Sequence, residues 1–279
     1  MRGMLSGLVA GLLALVFAYI FGEPSVVSAI DVESAAQAAT GETPEPELVS
    51  RTVQSTIGLA TAVVVYGVAF GGLFSLVFAV AYGRISRLSA RATAAVLALG
   101  GYLVVFFVPF LKYPANPPAV GNHDTISQRT GLYLAMVLAS VLLAVAAAYL
   151  GQRLASRLGA GNATLAASAA FVVTVALVQL LLPTINEVPD DFPATVLWDF
   201  RVASLGTQLV LWATIGLLFG ALVARHLTSE AARSDRGRRT TFGDARTTRR
   251  RHGQPNDHLT EQASGLRALT PDEDGRRSG

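Results

Sequence analysis

Residues 130–183 read TGLYLAMVLASVLLAVAAAYL, then GQRLASRLGAG, then NATLAASAAFVVTVALVQLLLP. Two apolar runs thus flank a short connection that contains arginine. Each run reaches the roughly 20 residues that an α-helix needs to cross a hydrocarbon core of about 30 Å. Continuous apolar runs indicate helices, because a membrane β-barrel would show alternating apolar and polar residues. The stretch therefore predicts two membrane-spanning helices joined by a turn.

Similar apolar runs lie on both sides of this stretch. Together the six predicted spans cover residues 3–22, 56–82, 90–111, 130–150, 162–183 and 205–224. The predicted fold class is all-α, a polytopic membrane bundle of six transmembrane helices. A cleaved signal peptide is the alternative for the first run, but the run exceeds the usual apolar length of about 7 to 15 residues. Because Gly3, Gly7 and Gly11 also place three small residues on one helix face for contact with another helix, we expect this span to be retained.

The positions of arginine predict the orientation of the chain. Arginines precede the first run, occupy the second and fourth connections and follow the sixth run: Arg2, Arg84, Arg87, Arg91, Arg153, Arg157 and Arg225. The other three connections are mostly acidic. Cytoplasmic loops carry an excess of Lys and Arg, so both termini are predicted to be cytoplasmic.

Composition divides the chain into a six-span transmembrane domain, residues 1–226, and a tail, residues 227–279. The tail is rich in Arg, Ser, Thr, Gly and Asp and has hardly any large apolar residue, which predicts a disordered, Arg-rich cytoplasmic segment. Its arginine clusters suit contact with anionic lipid headgroups. Nucleic-acid binding is not favoured, because the tail also carries acidic residues and has only Phe242 as a stacking group. A solvated tail with no binding role fits equally well.

A weak internal duplication is visible around the arginine-containing connections. Gly83-Arg84 and Gly151-Gln152-Arg153 both precede a helix that ends at a proline, Pro109 in one case and Pro183 in the other. This pattern favours a parallel internal repeat of helices 2-3 and 4-5. Convergence is the alternative, because proline is common after a helix end.

The predicted spans contain no Asp, Glu, His, Lys or Arg deep within them. Neutral polar residues on the predicted helices include Tyr66, Gln179, Gln208 and, just before the second apolar run, Gln54. Such side chains usually form interhelical hydrogen bonds. The alternative is a polar transport path, in which amide and hydroxyl oxygens replace water around a passing cation.

The acidic connections hold possible metal ligands between prolines. These are Asn116, His123, Asp124, Glu187 and Asp190. Imidazole with carboxylates suits divalent ions of the cobalt, nickel and zinc group, and the absence of cysteine excludes thiolate ligands. On spacing alone, a solvated acidic loop is the stronger reading.

Four segments carry a resemblance to a known family. They are residues 51–56 leading to 66–72, and residues 109–120, 182–189 and 200–205. Over residues 1–226 the chain resembles the CbtA family of bacterial membrane proteins. The resemblance implies a cobalt transporter subunit associated with cobalamin metabolism, with cobalt or a related divalent cation as substrate, no cofactor, and a small single-span partner, CbtB, that has a histidine-rich end. Family descriptions often count five spans, against the six predicted here.

The prediction that combines these observations is a membrane subunit of a cobalt uptake system in the bacterial inner membrane, and not an enzyme. Outer acidic loops would gather the ion, and neutral faces of the second, fifth and sixth spans would pass it on. The lipid bilayer is the expected surrounding, and a homo-oligomer is compatible with the sequence. No P-loop is present, so any ATP dependence would come from another chain. The alternatives are a non-transport scaffold and a membrane enzyme that acts at the outer face.

Overall fold

The computed structural model describes the backbone of residues 1–40, 57–84, 88–118, 120–121 and 123–252. This part of the chain contains helices and no β-strand. The α-helices are α1 (Arg2–Phe17), α2 (Glu23–Thr40), α3 (Leu59–Ala81), α4 (Ala90–Gly101), α5 (Val108–Lys112), α6 (Ile126–Leu181) and α7 (Ala194–His252). Short π-helical segments, Ala18–Gly22 and Tyr102–Phe107, join α1 to α2 and α4 to α5, and a 3-10 turn, His123–Thr125, precedes α6.

Five helices among the described residues are long and apolar enough to cross a membrane. They are Arg2–Ala39, Ala60–Ala81, Ala90–Lys112, Ile126–Leu181 and Ala194–Ser234. Many of their large apolar side chains point away from the protein, such as Leu138 and Leu142 of α6. The all-α prediction is confirmed, and the long apolar helices are compatible with a membrane bundle. The predicted parallel repeat stays a prediction.

Helix α6 changes direction at Gly159. A straight helix of its 56 residues would be about 84 Å long, far more than a bilayer core needs. Gly159 has φ 75° and ψ 160°, a backbone conformation that glycine adopts without strain. A Cβ added at Gly151 would lie 3.3 Å from the Cβ of Ala167, although a straight helix would separate these residues by about 24 Å. The chain therefore folds back, and α6 consists of two arms that pack together.

The glycine face of α1 packs directly on α3. Gly3, Gly7 and Gly11 are buried, and the backbones of Gly7 and Gly67 touch so closely that a Cβ added at Gly67 would lie 2.6 Å from the carbonyl oxygen of Gly7. Gly71 meets the backbone of Gly3 and Gly7 in the same way. The predicted helix contact through this glycine series is confirmed, and its partner is α3.

Helix α7 packs on α3 through aromatic side chains and on α4 through small ones. The Phe219 ring makes edge-to-face contacts with Phe74 and Phe78, at centroid distances of 5.5 and 5.0 Å. On α4, a Cβ added at Gly220 would meet the Cβ of Ala94 at 3.0 Å. Aromatic pairs at such distances add to the energy of burial. The main core cluster thus joins α1, α3, α4 and α7.

A second contact joins the α4–α5 segment to both arms of α6. Pro109 lacks an N–H group, so a carbonyl four or five residues earlier loses its usual partner. The Ser140 hydroxyl donates to the carbonyl of Val104 at 2.6 Å, and Gln179 Nε2 donates to the carbonyl of Val108 at 2.9 Å. Met136 is fully buried beside them. These side chains supply donors where the helix is irregular.

The chain divides into two compact units, Met1–Arg225 and His226–Gly279. In the second unit the backbone is helical through His252, whereas the sequence predicts a disordered tail from residue 227. Residues 253–279 lie outside the described residues, and the predicted disorder of the tail stays a prediction.

Candidate functional site

Two proline-rich loops follow α5 and α6, the described part of residues 113–122 and residues 182–193. A cavity of about 480 Å³ lies where these loops meet the first turns of α6 and α7. We refer to it as the loop pocket. Its wall is formed by aromatic and aliphatic side chains with a small number of charged and amide groups: Phe106, Phe110, Tyr113, Pro114, Ala115, Asn116, Val120, Ile126, Arg129, Thr130, Tyr133, Leu134, Ile185, Asn186, Glu187, Val188 and Arg201. A mostly apolar cavity with a few polar groups is typical of a small-molecule site.

Glu187 is the acidic group of the loop pocket. Its carboxylate lies 3.3 Å from the Arg129 guanidinium, and its side chain is only 14% exposed. The Thr125 hydroxyl donates a hydrogen bond to the same carboxylate. Because the pair is largely removed from water, each partner depends on the other for compensation of its charge.

Arg201 holds the first proline-rich loop through two hydrogen bonds. Its Nε donates to the carbonyl of Ala115 at 3.3 Å, and its terminal nitrogen donates to Asn116 Oδ1 at 2.9 Å. The guanidinium fork is rigid and planar, so two such bonds fix the loop in both position and angle. Arg201 thereby fixes the wall that carries Asn116.

Two further bonds join the loops to each other. Lys112 Nζ donates to Thr184 Oγ1 at 3.0 Å, and the Tyr113 hydroxyl donates to the carbonyl of Pro183 at 2.9 Å. Burial raises the pKa of Tyr113, which keeps its hydroxyl protonated and able to donate. Both proline-rich loops therefore lie at the same end of the bundle.

The loop pocket contains some of the predicted metal ligands and not others. Glu187 and Asn116 both line it, whereas Asp124 and Asp190 are exposed and do not. His123 starts the 3-10 turn, and its side chain lies outside the described part. No three His, Cys, Asp or Glu residues of the described ranges are grouped so that they could hold a metal ion. The metal assignment stays a prediction.

The predicted transport-path residues are distributed over several helices. Gln54 lies outside the described residues, Tyr66 is exposed on α3, and Gln208 is partly buried on α7. Gln179 donates to the carbonyl of Val108, which agrees with the interhelical hydrogen-bonding interpretation for that residue. The polar path itself stays a prediction.

Sequence reasoning missed the cationic groups of the loop pocket. Arg129 and Arg201 both line it, and Tyr113 and Tyr133 add hydroxyl groups. A signal for the arginines was present, because they lie on connections that are otherwise acidic and that the arginine distribution assigns to the outer side. A positive group retained on that side requires a local partner, and both arginines have one.

Long apolar helices, exposed leucines and a pocket at one end of the bundle define a multi-pass membrane protein. A family model described as "Probable cobalt transporter subunit (CbtA)" matches residues 1–224. The chain belongs to the CbtA family. No curated protein and no solved structure matches it. The predicted family is therefore confirmed, together with its description as a probable cobalt transporter subunit.

Proposed function

We propose that this chain is the membrane subunit of a bacterial uptake system for cobalt or a related divalent cation, and that the loop pocket is the outer binding site for the substrate. Membership in the CbtA family supports the transport role. Support for the site comes from Glu187, a largely buried acidic side chain in a pocket whose lining also includes Asn116 and Asn186. Oxygen ligands of this kind suit hard and borderline divalent cations.

The proposed topology has six crossings with both termini in the cytoplasm of the inner membrane. The turn at Gly159 supports it, because each arm of α6 is long enough to cross the bilayer separately. The bonds between Lys112 and Thr184 and between Tyr113 and Pro183 support it too, because both proline-rich loops then share one side. The arginine-rich connections would face the cytoplasm.

Cation binding in the loop pocket requires a change of partner at Glu187. Its carboxylate is compensated by Arg129 at 3.3 Å, so an incoming cation must replace that guanidinium. A divalent ion competes for the carboxylate better than a monovalent one, since its charge is twice as large. In this proposal Asp124, Asp190 and His123 gather cations near the pocket, and Gln54, Tyr66, Gln179 and Gln208 lie along the onward path.

The family description as a subunit implies partner proteins. We propose that a small single-span, histidine-rich protein of the CbtB type is one of them, delivering or receiving the ion. The chain has no P-loop, so a source of ATP energy, where one is used, belongs to another subunit.

Accumulation of radioactive cobalt tests the proposal in cells that express the full chain with and without the small partner. Expression should raise accumulation above an empty-vector control. Glu187→Gln should lower it by about tenfold, since the enclosed carboxylate is lost. Asp190→Asn is the matched control, because Asp190 is exposed and lies outside the pocket lining, and it should have little effect. Accumulation equal to the empty-vector level would contradict the transport role, and equal uptake by the two variants would remove Glu187 from it.

A further inference from the structure

The side chains that line the loop pocket carry more positive than negative charge, although its proposed substrate is a cation. Among the described residues that line it, the charged side chains are Arg129, Arg201 and Glu187, which is two positive groups against one negative group. Glu187 is already compensated by Arg129 at 3.3 Å. The Arg201 guanidinium is bonded to neutral oxygens of Ala115 and Asn116. A bare divalent cation inside the pocket would therefore meet two guanidinium groups and one carboxylate that is already paired.

The size of the loop pocket also exceeds what a hydrated ion needs. Six coordinated waters at about 30 Å³ each amount to about 180 Å³. The cavity has a volume of about 480 Å³, which lies in the range of sites for small organic molecules. Its lining includes the rings of Phe106 and Phe110. These rings offer no ligand to an aquo ion but suit the carbon skeleton of an organic molecule.

We infer that the loop pocket binds the metal as an anionic chelate of a small organic carboxylate, so that the guanidiniums recognise carboxylates and not the metal itself. This inference rests on the proposed function, because it names the chemical form in which the substrate arrives. Arginine suits the role, since its planar fork pairs with a carboxylate through two parallel hydrogen bonds.

The ion pair between Arg129 and Glu187 supplies a means of exchange. When a chelate carboxylate pairs with Arg129, the Glu187 carboxylate is released within the same cavity. Glu187 and Asn116 then present oxygens toward the metal while Arg201 pairs with a second carboxylate. No covalent bond is formed or broken. Arg129 exchanges Glu187 for a chelate carboxylate, and Glu187 exchanges Arg129 for the metal.

Binding of labelled citrate and cobalt to the purified full chain in lipid nanodiscs tests the inference. Citrate is a tricarboxylate that chelates cobalt. We expect carbon-14-labelled citrate to be retained together with radioactive cobalt, and cobalt without citrate to be retained about tenfold less well. Trimethyl citrate, which has the same skeleton without the charged carboxylates, should not compete. Competition by trimethyl citrate, or equal retention of cobalt with and without citrate, would overturn the inference.

Variants assign the binding to the loop pocket. Arg201→Gln should weaken citrate retention by about tenfold, because one guanidinium partner is lost. Arg84→Gln is the matched control, since its guanidinium also bonds to backbone carbonyls, those of Ala79 and Val80, but is exposed and lies outside the pocket lining. Unchanged retention in Arg201→Gln would overturn the assignment. The trimethyl citrate result on the unaltered chain decides the case in which Arg201→Gln does not fold.

Two outcomes separate this inference from the proposed function. Cells that accumulate cobalt equally well with and without citrate would retain the transport role and lose the chelate. Nanodiscs that retain citrate, in a chain whose expression accumulates no cobalt in any form, would lose the transport role and retain the carboxylate site.

Discussion

At the scale of single residues, the ion pair between Arg129 and Glu187 balances charge within the loop pocket. Glu187 is 14% exposed and Arg129 is 31% exposed, so neither charge can rely on water alone. Breaking a pair that is largely buried leaves the remaining charge uncompensated, which costs more than the pair contributes over an uncharged equivalent.

A double-mutant cycle should measure this dependence. We expect Glu187→Gln and Arg129→Gln each to lower the free energy of unfolding in detergent, and the double variant to lower it by less than their sum. The coupling energy should be about 1 to 3 kcal/mol, the range for hydrogen bonds to charged groups and for residues in direct contact. A coupling energy of zero would show that the two side chains do not interact in solution.

Part of the site was accessible to sequence reasoning at this scale. The alternation of basic and acidic connections places Glu187 and Asn116 on loops of one side, and both line the loop pocket. The partners of Glu187 were not accessible. Thr125 lies 62 residues away from it in the chain, and tertiary contacts such as the packing of α5 against the arms of α6 bring the two segments together. No local pattern encodes a contact of that kind.

At the scale of helices, α1 and α3 are in direct backbone contact. Four-residue spacing of glycine puts hydrogen atoms where side chains would stand, so that two backbones touch. The sequence predicts such a face from spacing alone. It cannot name the partner helix, because several spans carry small residues.

Two glycines on the same pair of helices give a matched test of this contact. Gly7→Ala should lower the free energy of unfolding of the detergent-solubilised protein by about 1 to 3 kcal/mol, because the added methyl group collides with the backbone of Gly67. Gly72→Ala should be tolerated, since its added Cβ would lie 3.6 Å from Met4 Cγ, an ordinary contact distance. Equal stability of the two variants would contradict the packing described for α1 and α3.

Helix ends were predicted less well than helix centres. The sixth predicted span begins at residue 205, whereas α7 begins at Ala194. Asp199 and Arg201 interrupt the apolar run, so a prediction based on apolar residues starts the span only after them. The helix continues because Arg201 finds partners in Ala115 and Asn116, a tertiary contact that hydropathy does not contain.

At the scale of the whole molecule, the number of crossings depends on α6. Six apolar runs were predicted, and the described residues contain five long apolar helices because α6 includes two of those runs. The turn at Gly159 separates them into two arms. The arginines of this connection predicted a turn between the two runs. They did not predict that helical structure would continue on both sides up to Gly159.

Labelling of single cysteines should determine the topology, and the chain suits the method because it contains no cysteine. With a membrane-impermeant maleimide, Ser127→Cys and Asp190→Cys should react in intact cells, whereas Ser156→Cys should react only after permeabilisation. All three side chains are exposed, so access depends on the side of the membrane. The unaltered chain is the control and should give no signal. Reaction of Ser156→Cys in intact cells would contradict the six-crossing arrangement.

The backbone contact between α1 and α3 restricts how this gene can change. Any single-base change in the first two positions of a glycine codon yields a stop codon or an amino acid with at least one side-chain carbon, whereas third-position changes still encode glycine. At Gly7, Gly67 and Gly71 such a carbon falls on the backbone of the facing helix. We therefore expect no neutral amino-acid replacement at these positions, and a library of point mutants selected for folded protein should keep glycine there while the exposed leucines, such as Leu138 and Leu142, vary.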